Sequence, residues 1–135
     1  MKVQDMKKLS VLLLVFILVG CQQGTQVQHD AEASLKHPFI HSVYFWFKED
    51  MTDEQKEQFY ANTEKLRDIE VVKALYTGKP ANTTRPIVER SYDFAVIVHF
   101  ENLAAHDVYQ QHPIHLALLE SGSPYWEKVM ITDVE

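Results

Sequence analysis

A phenol and two imidazoles lie close together near the carboxyl end of the chain, in the segment Tyr109-Gln110-Gln111-His112-Pro113-Ile114-His115. A histidine can accept a proton near neutral pH, and a phenol can donate one to a developing enolate. On an unbroken helix Tyr109 and His115 would lie about 120° apart. Pro113 disfavours helical geometry at His112, however, and a break there would allow the two side chains to converge as an acid/base pair.

The same residues also fit a purely structural role. Tyr109 could pack its ring in the core with its hydroxyl bonded, His112 could cap a helix that begins at Pro113, and His115 could bond a backbone carbonyl. Both interpretations are compatible with the sequence. Whether the protein is an enzyme therefore stays open at this level.

Hydrophobic periods of two and of about 3.6 residues alternate in the region that must position these side chains. Thr52 and Gln55 form a capping box for a first helix, and Asn102 can cap a second. The predicted strands cover 39–47, 71–77, 92–100 and 125–133, and the predicted helices cover 53–68, 103–111 and 113–120. This β-α-β-β-α-β order predicts an α+β, ferredoxin-like fold with a four-stranded antiparallel sheet.

Both faces of this sheet carry apolar side chains. His41, Val43 and Phe45 share one face of the first strand, which the helices would cover. The opposite face would expose a contiguous apolar set: Ile40, Tyr44, Trp46, Ala95, Ile97 and Met130. An uncovered face of this kind predicts a partner, and the most economical partner is a second copy related by a two-fold axis.

The amino-terminal segment predicts an address in the cell envelope. Three lysines precede the uncharged run from Leu9 to Val19, which as a helix of about 16 Å is too short to span a bilayer. The run ends in Leu18-Val19-Gly20-Cys21, which resembles the lipobox of bacterial lipoproteins. That resemblance implies a signal peptide over 1–20 and acylation of Cys21 by a palmitate-type lipid. The residues that follow are polar and show no sustained period, so 21–37 are predicted to be a lipidated N-terminus and flexible tether. Gln22 favours the outer membrane, facing the periplasm, and residues 38–135 form the folded domain.

Charge and cysteine content exclude some functions. The chain has 13 basic and 19 acidic residues, and because residues 1–20 carry a net +2, the part after them carries −8 against −6 for the whole. Such an acidic body does not suit nucleic acid, whose phosphates require Lys and Arg. Cys21 is the single cysteine, so the folded domain has no intrachain disulfide.

Five features of the sequence resemble the stress-responsive A/B-barrel (Dabb) family over about residues 39–133. They are His41-x-Val43-x-Phe45-x-Phe47-Lys48, Thr52 before the first helix, Tyr92-Asp93, Tyr109-x-x-His112-Pro113-x-His115 and Trp126-Glu127-Lys128. The resemblance implies a dimeric α+β barrel. One plant polyketide cyclase in the family uses a Tyr and a His as an acid/base pair, which would fall on Tyr109 and His115.

The predicted function is capture of a small apolar or aromatic ligand between sheet and helices, and the alternative is a cofactor-free Tyr/His acid/base enzyme acting on a small carbonyl or aromatic compound. The predicted pocket wall comprises His41, Val43, Phe45, Phe59, Val96, Val98 and Val129. A metal on His41, His112 and His115 is also conceivable, but no paired carboxylate or cysteine supports it. Neither a metal nor a cofactor is predicted.

Overall fold

The computed structural model describes residues 38–135. The predictions for the signal peptide, for Cys21 and for the tether lie outside these residues. Within residues 38–135, no helix has the length and apolar composition that crossing a membrane requires.

Four strands form one antiparallel sheet in the order β2-β3-β1-β4, and three α-helices interrupt them along the chain. The strands are β1 (Phe39–Phe47), β2 (Ala74–Gly78), β3 (Phe94–Phe100) and β4 (Trp126–Val134), and the helices are α1 (Asp53–Glu64), α2 (Leu103–Gln110) and α3 (Pro113–Gly122). This arrangement confirms the predicted α+β, ferredoxin-like fold.

Local capping signals begin each helix. The Gln55 amide donates to the Thr52 hydroxyl at 3.3 Å while the Thr52 amide donates to the Gln55 side chain at 2.8 Å, which completes the capping box of α1. Asn102 accepts from the amide of Ala105 and caps α2. His112 has extended backbone geometry and caps α3, whose first residue is Pro113.

Several predicted boundaries are wrong by a few residues. The strand predicted from Val71 begins at Ala74, because the amide of Val72 donates to the carbonyl of Ile69 in a turn. Helix α1 ends at Glu64 and continues only as a 3-10 turn to Asp68. Strand β3 begins at Phe94 rather than Tyr92.

The core lies between the inner face of the sheet and the helices. Phe39, His41, Val43, Phe45 and Phe47 alternate along β1 and are all buried. In β3 the buried inner-face residues are Phe94, Val96, Val98 and Phe100. The sequence alternation therefore predicted correctly which side of each central strand faces the helices.

Candidate functional site

A cavity of about 160 Å³ lies between the inner face of the sheet and the helices. Its lining comprises His41, Val43, Phe45, Leu66, Val96, Tyr109, Gln110, His115, Leu118, Leu119, Trp126, Val129 and Ile131. Most of these side chains are apolar, and the polar groups are few. Ligand sites in proteins commonly have this composition.

Five of the seven residues predicted for the pocket wall line this cavity: His41, Val43, Phe45, Val96 and Val129. Phe59 does not, because its ring packs edge-on between Phe45 and Phe47 in the core. Val98 does not either, since it is completely buried beneath the helices.

Tyr109 and His115 both line the cavity, and their ring centroids are 4.4 Å apart. The break between α2 and α3 produces this proximity, because α2 ends at Gln110 and α3 begins at Pro113. The proline thus separates two helices whose side chains meet over one cavity.

His115 is buried, and its Nδ1 lies 3.1 Å from the carbonyl oxygen of Gln110 at the end of α2. A carbonyl can only accept, so Nδ1 carries the proton of the neutral ring and Nε2 keeps its lone pair. Burial lowers the pKa of His115 below its ordinary value of 6.5. His115 is therefore neutral at pH 7 and can act as a proton acceptor.

Tyr109 has the complementary protonation state. Its ring packs against Phe100 with centroids 4.9 Å apart, and only 2 % of the residue is exposed. Burial raises the pKa of the phenol, so the hydroxyl keeps its proton. Among residues 38–135 the hydroxyl has no hydrogen-bond partner, which leaves its donor for a group in the cavity.

His41 is held by a carboxylate. Its Nδ1 donates to Asp133 Oδ1 at 2.6 Å, because the β1–β4 register places the two residues opposite each other. Burial lowers the pKa of His41, and the bond to Asp133 opposes that shift. The carboxylate fixes the ring orientation and directs Nε2 away from Asp133.

Two other histidines lie outside the Tyr109/His115 pair. His112 accepts the amide proton of Ile114 at 3.2 Å and lies 3.7 Å from the Glu70 carboxylate, so it belongs to the helix break. His106, which no sequence motif singled out, lies on α2 with its ring centroid 4.9 Å from that of His41.

Sequence reasoning also missed several lining residues. Ile131 lies two residues after Val129 on β4, so the strand period could have identified it. Leu118 and Leu119 follow His115 by three and four residues, and helical spacing could have identified them. Gln110 is the last residue of α2, and no periodicity in the sequence indicated that it would reach the cavity.

Comparison with known proteins identifies the family. The family model for the stress responsive A/B barrel domain (Dabb) matches residues 39–135. The chain belongs to the Dabb family. The resemblance seen in the sequence is thereby confirmed.

Three proteins that the chain resembles have a described activity or assembly. The chain is 32 % identical over 94 residues to olivetolic acid cyclase of Cannabis sativa, covering 69 % of this chain and 91 % of the cyclase. The solved structure of a hydroxynitrile lyase from Passiflora edulis matches with a TM-score of 0.63 at 19 % identity, covering 73 % of this chain and 92 % of the lyase. A dimeric ferredoxin-like protein of unknown function from Thermobifida fusca matches with a TM-score of 0.62 at 23 % identity, covering 73 % of this chain and 90 % of that one. These two structures support the fold alone.

Proposed function

We propose that this Dabb domain binds a small apolar or aromatic compound in the cavity, with the Tyr109 hydroxyl donating a hydrogen bond to an oxygen of that compound. The observation that carries the proposal is a phenol with an unused donor at the wall of an otherwise apolar cavity. A hydrogen bond from this hydroxyl to a ligand oxygen would contribute about 0.5–1.5 kcal/mol to binding.

The cavity volume suggests the size of the ligand. An apolar cavity of about 150 Å³ can take up benzene. A volume of about 160 Å³ therefore suits a single substituted ring or a short ketone. Apolar walls would provide most of the binding free energy, and Tyr109 would orient the oxygen.

Native mass spectrometry of the full chain tests this proposal with a panel of phenols, hydroxybenzaldehydes and aryl methyl ketones. We expect at least one member to form a complex with the wild type. Val129→Phe should weaken that complex by at least about tenfold, because the larger ring would occupy space in the cavity. The matched control is Val108→Phe on α2, since Val108 is exposed and does not line the cavity.

Two outcomes would reject the binding proposal. One is a panel in which no compound binds the wild type. The other is a Val129→Phe variant that binds as tightly as Val108→Phe.

The second candidate function is acid/base catalysis by the same pair. It is favoured because, at neutral pH, the His115 ring is uncharged and can accept a proton, while the Tyr109 hydroxyl keeps its proton and can donate a hydrogen bond. His115 Nε2 would remove a proton from the carbon next to a carbonyl, and the Tyr109 hydroxyl would stabilise the enolate oxygen. The similar cyclase supports this chemistry, because it is 32 % identical in sequence to the chain over 94 residues.

Hydrogen exchange of acetophenone in D₂O, followed by proton NMR, tests this second candidate. The wild type should accelerate loss of the methyl proton signal, and His115→Gln should lower the acceleration about 100-fold or more. His112→Gln is the matched control, because His112 lies in the helix break. Equal rates with and without the wild type would contradict the catalytic proposal while leaving the binding proposal intact.

The domain would act as a homodimer in which the outer sheet faces of two copies pack together. Ile40, Tyr44, Trp46 and Ile97 are only half-buried on that face of a single copy. The Thermobifida fusca protein, which shares the fold, is described as dimeric. A self-complementary sheet face related by a two-fold axis suits this assembly.

A lipid on Cys21 would hold the dimer at the outer membrane, facing the periplasm. The lipobox-like sequence and the short apolar run support this proposal. Metabolic labelling with a palmitate analogue in a bacterial host should mark the wild type and leave Cys21→Ser unlabelled. Equal labelling of both would contradict it.

A further inference from the structure

We propose that His41, His106 and Asp133 bind a divalent transition-metal cation of the zinc class. The three residues come from β1, α2 and β4 and are brought together only by the fold. One ligand atom from each of them lies within 4.8 Å of the other two. Among residues 38–135 this is the only such group of three or more.

The donor set suits zinc. Zn²⁺ binds imidazole nitrogen and carboxylate oxygen, and zinc sites that keep an open position often have three protein ligands. Tetrahedral ligands at about 2.0–2.2 Å from zinc lie roughly 3.3–3.6 Å from one another. Zinc would take the place of the proton between His41 Nδ1 and Asp133, so their separation of 2.6 Å would lengthen and the His41 ring would carry its proton on Nε2. The other separations, which are at most 4.8 Å, would shrink by up to about 1 Å.

His106 is not fully satisfied by its protein contacts. Its Nδ1 is buried without a hydrogen-bond partner among the described residues, although Asp107 Oδ1 lies 3.5 Å away. Its Nε2 accepts from the Gln110 side-chain amide at 2.8 Å. Because Nε2 accepts, Nδ1 carries the proton of the neutral ring. A metal would bind either at Nε2, where it would replace the Gln110 amide, or at Nδ1 after the proton has moved to Nε2 and the Gln110 side chain has turned its carbonyl oxygen towards it.

Asp133 supplies both the negative charge and the entry path. Its side chain is 43 % exposed, whereas that of His41 is only 6 % exposed. A cation can therefore meet the carboxylate at the surface and then contact the partly buried ring of His106 and the buried ring of His41. Removing water from a cation costs free energy, and a negative charge together with coordinating ligands offsets that cost.

The cluster differs from the Tyr109/His115 pair. His115 bonds the Gln110 carbonyl and His112 caps α3, so neither belongs to it. His41 is the one residue that both lines the cavity and joins the cluster. The metal proposal does not depend on the proposed function.

Isothermal titration of the chelator-treated full chain with zinc chloride tests the site. The parent protein for this experiment carries His29→Gln and His37→Gln, which removes the histidines outside the described residues, and every further variant is made in this parent. We expect saturable binding of one zinc per chain, weakened at least about tenfold in His106→Gln and in Asp133→Asn. His112→Gln, the matched control, should bind zinc like the parent.

Titration with cobalt chloride adds a spectroscopic readout. The parent should develop visible absorption bands from four-coordinate cobalt, and both variants should lose them. If His106→Gln does not fold by circular dichroism, Asp133→Asn decides the question, because its carboxylate is partly exposed. Absence of saturable zinc binding by the parent, or equal affinity in the parent and Asp133→Asn, would overturn the proposal.

Discussion

At the scale of single residues, burial sets the chemistry of the cavity. It holds His115 neutral and keeps Tyr109 protonated, so the proton acceptor and the proton donor are both ready at pH 7. The carboxylate of Asp133 holds the third cavity group, His41, in a fixed orientation. The mostly apolar cavity thus keeps both Tyr109 and His115 uncharged at neutral pH.

Burial of His115 should also appear in the pH dependence of stability. Because its pKa is lower in the folded chain than the unfolded value of 6.5, the unfolded chain binds more protons between the two values. The free energy of unfolding should therefore fall as pH drops below 6.5, by at most about 1.4 kcal/mol per pH unit for one histidine, and level off below the lowered pKa.

Urea unfolding of the wild type and His115→Gln at several pH values measures this effect. The variant should show a shallower fall, but some slope remains because His41 also has a lowered pKa and faces the same cavity with His106 and Tyr109 nearby. Parallel profiles for the two proteins would contradict the assignment to His115.

Some of these residues could be predicted from the sequence and others could not. Alternation along β1 placed His41, Val43 and Phe45 on the helix side, and the proline allowed Tyr109 to meet His115. His106 is different, because its proximity to His41 depends on how α2 packs over β1. The pairing of His41 with Asp133 depends on strand register, which no local pattern specified.

At the scale of elements, local signals predicted helix starts well. The side chains of Thr52, Asn102 and His112 act within three residues, so their effect is readable in the sequence. The start of β2 depends instead on tertiary packing. Val71 and Val72 pack against the core from a turn, although their β-branched side chains favour a strand.

Close packing at the end of α3 gives an element-scale prediction. A Cβ at Gly122 would lie 2.8 Å from Trp126 Cζ2 and 3.0 Å from Phe59 Cε2, so Gly122→Ala must displace one of two core rings. We expect a loss of about 1–3 kcal/mol in the free energy of unfolding, measured by urea denaturation.

Gly78→Ala is the matched control for this substitution. Nothing lies within 4 Å of a Cβ at Gly78, so its stability should match that of the wild type or exceed it slightly. Equal stability of the two alanine variants would show that the packing at Gly122 is not tight.

At the scale of the whole molecule, the sequence predicted the ferredoxin-like fold because the order of hydrophobic periods restricts the topology to few choices. The sheet order β2-β3-β1-β4 places both central strands under the helices. The side chains that alternate with the inner-face residues point to the outer face, and most of them are also apolar. Within residues 38–135 of a single copy, no second layer of helices covers that face.

The proposed dimer is tested by Trp46→Glu. Trp46 lies on the outer face of β1, where the Lys128 ammonium sits 4.1 Å from its ring centroid. Because a charge buried at an interface is costly, sedimentation velocity should show a dimer for the wild type and monomer or aggregate for the variant.

Leu116→Glu is the matched control for the dimer, since Leu116 lies on α3 and is 46 % exposed. It should sediment like the wild type. A wild type that remains monomeric at micromolar concentration would contradict the proposed assembly.

The central claim is that Tyr109 presents its hydroxyl to a ligand in the cavity. Tyr109→Phe tests it most directly, through calorimetric binding of the tightest panel compound together with a thermal melt of the same protein. The account predicts a nearly unchanged melting temperature, because the hydroxyl has no described protein partner, and an affinity lower by roughly fivefold. Unchanged affinity with a clearly lower melting temperature would assign the phenol to the structure of the core and contradict the account.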